Sequence, residues 1–130
     1  MIYNLNSVTI EGRLTQDPSY KALEKDGGVC NLDVAHNHRY PGKETKENGE
    51  TKFEEKTSFL KISAFNGTGK KAAESLKKGD QVIVEGRLEE RRWKDEEGNP
   101  RSITGIVADR VHLVSHAKPK EAVAVAAATN

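Results

Sequence analysis

The residues in this 130-residue chain best suited to chemistry are aromatic and basic, and they recur at strand spacing. Along Thr57 to Phe65, TSFLKISAF, an extended strand sends successive side chains to opposite faces. One face carries Phe59, Lys61, Ser63 and Phe65, and the other Ser58, Leu60, Ile62 and Ala64. The small aliphatic row suits a packed interior and leaves the rings and the lysine for the outside. An aromatic, cation, aromatic row there is what base stacking requires, because every base offers a π-face and every phosphate draws a cation. The same residues also read as ordinary core if the phase is reversed or both faces are buried, since a short apolar run does not fix a face. A second row lies in Gln81 to Trp93, QVIVEGRLEERRW, with Val82, Val84, Gly86 and Leu88 on one side and Arg87, Arg91 and Trp93 on the other. The chain's single tryptophan thus shares the polar side with two arginines, which packing alone explains poorly.

The elements that must carry these rows follow from alternation and turn chemistry. Val8 to Leu14 reads as a strand with Val8, Ile10, Gly12 and Leu14 on a buried side, Gly12 marking a bend or a close backbone approach. Turns are expected at Asp17-Pro18 and Asp26-Gly27-Gly28. From Val29 to Tyr40 the even positions pass from Cys30, Leu32 and Val34 to His36, His38 and Tyr40, a strand that starts against the core and projects beyond it. Pro41 to Lys52 has no apolar residue and contains Asn48-Gly49, so it reads as a long, mobile hairpin tip. In KKAAESLKKG, Ala72, Ala73 and Leu76 share a helical face and Gly79 supplies a stop. Glu97-Gly98-Asn99-Pro100 makes a further turn. In the last strand, Ser102 to Val114, the pattern changes phase near Gly105, where a bulge is expected. Residues 116–130 lack alternation and read as a tail, leaving 1–115 as one domain.

Composition bounds the function. Charged residues make up 32% and aromatics 5%, and the net charge of +1 argues against a polycation that coats duplex DNA. The single cysteine, Cys30, excludes an internal disulfide and reads as a buried hydrophobe. Neither a signal peptide nor an apolar run approaching the ~18 residues of a membrane span is present, which points to a soluble, cytoplasmic setting. No nucleophile elbow, phosphate-cradling loop or paired carboxylates mark an enzyme. His36, His38 and His112 are a conceivable zinc set, but no cysteine or further histidine is spaced nearby, and no cofactor is expected. The sum is an all-β chain: a five-stranded oligonucleotide-binding barrel with one short α-helix between strands 3 and 4.

The runs NSVTIEGRLTQDP, HNHRY, TSFLKISAF, QVIVEGRLEERRWKDEEGNPR and ADRVHLV together resemble the bacterial single-stranded DNA-binding protein family over residues 4 to 114. The resemblance implies four stacking positions, here Tyr40, Phe59, Phe65 and Trp93. Strand phase singles out three of them independently, and Tyr40 rests on the resemblance. It also implies a homotetramer, with pairing between subunits near the N-terminus, and roles in replication, recombination and repair. Family members typically end in an acidic tip that recruits partner proteins, whereas this chain ends KEAVAVAAATN. The expectation is sequence-independent binding of single-stranded DNA, with Arg39, Lys61, Arg87 and Arg91 meeting phosphate. The alternative is a barrel that serves the replication machinery as a protein-binding accessory.

Overall fold

The computed structural model describes residues 3–23 and 27–117. In chain order the elements are β1 (Val8–Leu14), β2 (Ser19–Ala22), β3 (Gly28–Thr45), β4 (Thr51–Phe65), α1 (Asn66–Ser75), β5 (Gln81–Lys94) and β6 (Pro100–Ser115). The sheet order is β1-β5-β6-β4-β3-β2, and a further pairing of β1 with β3 closes five of these strands into a barrel. This is the expected oligonucleotide-binding architecture, with its helix between the third and fourth barrel strands. β2 is an addition the sequence did not announce. Its four residues are all exposed, and the only strand they pair with is the start of β3, so no apolar alternation betrays them.

Barrel closure depends on Gly12. Arg13 pairs with Ala35 and Leu14 with Val34, and a Cβ at Gly12 would stand 2.4 Å from the Ala35 carbonyl oxygen. Only a residue without a side chain lets the two strands cross so closely. Leu14, Cys30, Leu32, Val34, Ile62, Val82 and Val84 then fill the interior almost without solvent contact. Each such aliphatic side chain contributes about 1.5–3 kcal/mol by leaving water. Burial keeps the Cys30 thiol proton bound by pushing its pKa up, consistent with a packing role.

Four expectations are corrected. Leu88, assigned to the buried row, is 50% exposed, because β1 pairs with β5 only as far as Gly86 and leaves Leu88 paired with no strand but β6. The phase changes in the last strand fall at Asp109 and Val114, not Gly105: Glu85 pairs with Arg110 but Gly86 with Ala108, and Gln81 pairs with Ser115 but Val82 with Leu113. The helix begins at Asn66, where φ is 53, a left-handed conformation that asparagine tolerates. It ends at Ser75, and Gly79 acts instead in the turn beyond, its N–H donating to the Leu14 carbonyl at 2.8 Å. The long hairpin tip is in fact β-ribbon, with pairing continuing through Pro41–Phe53 to Thr45–Thr51. The turn itself is confined to 46–50, where Gly49 has a φ of 88 and Asn48 Oδ1 accepts from the Glu50 N–H.

Asp80 ties down the end of the barrel. It is buried, and its carboxylate accepts from the backbone N–H groups of Lys77 and Ala117 at 2.9 and 3.0 Å. The expected tail lies outside the described residues beyond Ala117. The same holds for Asp26 in the expected turn before β3.

Candidate nucleic-acid interface

Directly opposed residues on β3 and β4 share a face. The unbroken register from Val29–Phe65 to Pro41–Phe53 therefore sorts every side chain on this ribbon. Phe59, Lys61, Ser63 and Phe65 lie outside, with Ile62 and Ala64 inside, as alternation required. Phe59 is 55% exposed and Phe65 37%. Rings so open are not core, and their phase is settled. Between them Lys61 Nζ sits 2.7 Å from Asp33 Oδ1, and Ser63 Oγ donates to Asn31 Oδ1 at 3.4 Å. A cleft of about 300 Å³ opens beside Phe59, walled by Thr15, Gln16, Asp33 and Lys61.

The parallel pairing of β4 with β6 at Ile62–Ile106 brings the second ribbon alongside. On it Arg91 opposes Ile103 and Trp93 opposes Arg101, so these four share a face. Trp93 is 50% exposed. Arg91 Nη2 donates to Ser63 Oγ at 3.3 Å, which links the two ribbons across a groove of about 240 Å³ lined by Asn31, Lys61, Ser63, Arg91 and Ile103. The ribbon's tip is set by Asp95. Its carboxylate accepts from the Asn99 and Glu97 N–H groups and pairs with Arg101 at 3.1 Å, and these contacts, the Asn99 N–H first, hold its pKa below the usual carboxylate value.

Tyr40 lies elsewhere. It opposes Glu54, on the face opposite Phe59, and its ring follows those of His36 and His38 along β3 at centroid spacings of 5.7 and 6.4 Å. The Tyr40 hydroxyl donates to Glu54 Oε2 at 2.8 Å, and that hydrogen bond raises its pKa. The two resting ion pairs matter equally. Lys61 is held by Asp33, and Arg87 Nη1 by Asp109 Oδ1 at 3.0 Å, whereas Arg39 and Arg91 have no carboxylate partner among the described residues.

The model of the single-strand binding protein family matches residues 5–114. The chain belongs to that family. Among solved structures of similar fold is a Plasmodium falciparum SSB in complex with ssDNA, with a TM-score of 0.76 and 22% identity. That match covers 88% of this chain and 99% of the other. A deletion mutant of the single-stranded DNA binding protein from Thermus aquaticus matches with a TM-score of 0.71 and 23% identity, over 85% of this chain and 51% of that one. At these identities the likeness speaks to the fold.

Against that family background, sequence reasoning missed one aromatic residue. Phe53 is 48% exposed and carries the Arg39 guanidinium 4.9 Å above its ring centroid. Assigning the segment up to Lys52 to a loop hid the signal, which is that Phe53, Phe59 and Phe65 share strand parity at equal six-residue intervals. The histidines are otherwise engaged: His36 Nδ1 donates to the Glu11 carbonyl at 2.8 Å, and His112 Nε2 lies 3.6 Å from Glu85. No group of three or more histidine, cysteine or acidic side chains among the described residues is placed to hold a metal ion. Nor is any helix among them long and apolar enough to cross a membrane.

Proposed function

We propose that this protein binds single-stranded DNA without sequence preference by laying bases on Phe59, Phe65 and Trp93 while Lys61, Arg87 and Arg91 meet the phosphates. The observation that carries this reading is the exposure of three rings on one continuous outer surface, with cations between them. A core would bury those rings, and a purely electrostatic binder would not need them. Stacking contributes about 1–3 kcal/mol per base, so a few platforms outweigh the small net charge. Phosphate contacts then give register rather than base readout.

Tyr40 and Arg39 join the site on the β3–β4 ribbon. Because Tyr40 faces away from Phe59, a strand that used both rings would wrap around the ribbon. Assembly as a homotetramer is supported by the family and by the open edge of β1, which meets β3 only at Arg13 and Leu14. Tyr3 and Leu5, just before it, are almost wholly exposed. The role is in replication, recombination and repair, in the cytoplasm, as a binding protein rather than an enzyme. The domain of residues 1–115 carries binding, and His116 and Ala117, the first residues beyond it, remain tied to it through Asp80.

Titration with oligo-dT tests this directly. Stacking on Trp93 quenches its emission in proportion to occupancy. Absence of quenching would favour the protein-binding accessory instead.

A further inference from the structure

The β3–β4 ribbon carries an aromatic residue that the four-ring site leaves out. From Phe65 back to Phe53 the β3–β4 register is unbroken, so Phe53, Phe59 and Phe65 stand on one face of one strand, each six residues from the next. At about 3.4 Å per residue, the rings repeat every 20 Å or so along a line of about 40 Å. Phe53 is as open as Phe59, at 48% against 55%, and sits outside the hydrophobic core. Across the strand it faces Pro41, and the Arg39 guanidinium stands 4.9 Å from its ring centroid, a cation–π contact on the same outer face. Arg39 has no carboxylate partner among the described residues, so it meets phosphate without first breaking an ion pair. Lys61 and Arg87 both begin bound to carboxylates. Tyr40, the ring expected at this height, faces the other way and spends its hydroxyl on Glu54.

We propose that Phe53 and Arg39 form a further nucleotide station on the ribbon, a base stacking on Phe53 while Arg39 swings from the ring to the adjoining phosphate. This extends the path of single-stranded DNA past Phe59 along the Phe59 face. The inference rests on the stacking function proposed above, and the test separates the two.

The direct probe moves the chain's only tryptophan. In the full-length Trp93→Phe, Phe53→Trp double variant, added oligo-dT quenches the emission of residue 53, while anisotropy of end-labelled oligo-dT reports binding independently. Phe53→Leu, which keeps an apolar side chain but removes the π-face, weakens anisotropy-measured affinity about five-fold or more, and Phe53→Tyr restores it. Arg39→Gln lowers affinity and flattens its salt dependence. Silent emission at residue 53 with intact binding overturns the station and leaves the Phe59 platform standing. So does wild-type affinity for Phe53→Leu, or a change in its assembled mass, which would make Phe53 a subunit contact. Failure of the wild-type protein to bind oligo-dT overturns both readings.

Discussion

Replacing Asp33 by asparagine should make the protein bind DNA more tightly. Lys61 Nζ lies 2.7 Å from Asp33 Oδ1, so the cation at the middle of the phenylalanine row is already neutralised at rest. A phosphate taking a similar contact on the far side of Lys61 would sit about 5.5 Å from that carboxylate. The repulsion is then about 0.8 kcal/mol at water's dielectric constant and about 3 kcal/mol at an effective value near 20. The Lys61 side chain is 71% exposed, which favours the lower figure. Asp33→Asn should therefore tighten binding about four-fold. It also frees one cation, so the slope of log affinity against log salt should steepen by about 0.7. With its lysine exposed though its aspartate side chain is only 19% so, the pair contributes about 1 kcal/mol or less to folding, and asparagine keeps an acceptor for Gln16, so thermal stability should change little. The assay is Trp93 quenching by oligo-dT across a salt series. Weaker binding, or an unchanged slope, would refute the idea that Asp33 holds Lys61 back from phosphate.

Two further outcomes separate the surface from the core and the tip from both. Phe59→Ala should weaken oligo-dT binding by about 5- to 150-fold while costing roughly 1 kcal/mol of stability or less. Val84→Ala, at a position with no solvent contact, should cost ~1–3 kcal/mol in chemical denaturation and leave the affinity of the folded protein unchanged. Asp95 has its pKa lowered in the fold, so its support of the β5–β6 tip is complete above the ordinary carboxylate range and is lost as pH falls through the lowered value. An acid titration of Trp93 emission should show that loss, and Asp95→Asn should abolish it.

What could be read from the chain beforehand was whatever one strand decides alone. Phe59 against Ile62, or Val84 against Glu85, is a choice between two faces, and a buried aliphatic row makes it. Facts that need two strands at once were invisible. Tyr40 turned out to oppose Glu54 because register, set at the barrel end by Cys30–Ala64 pairing, carries outward to a segment with no buried residue of its own. The bulge at Asp109 likewise depends on how β5 and β6 match, the exposure of Leu88 on where β1 stops pairing with β5, and β2 exists only because β3 offers it an edge. Phe53 was missed for a different reason: polar neighbours marked its surroundings as loop, while Asn48-Gly49 and cross-strand pairs such as Lys52–Glu44 at 3.5 Å accompany a ladder that reaches the tip.

Between Ala35 and Leu60 no third strand pairs with β3 or β4, since β1 pairs with β3 only at Val34 and Ala35 and β6 pairs with β4 only from Ile62. A two-stranded arm wet on both sides is marginal by itself. Its amide protons should exchange with solvent through small local openings, fastest near residue 48 and progressively slower towards the barrel. If the arm carries the stacking sites proposed above, capturing a ligand should stiffen it and leave the barrel's exchange almost unaltered.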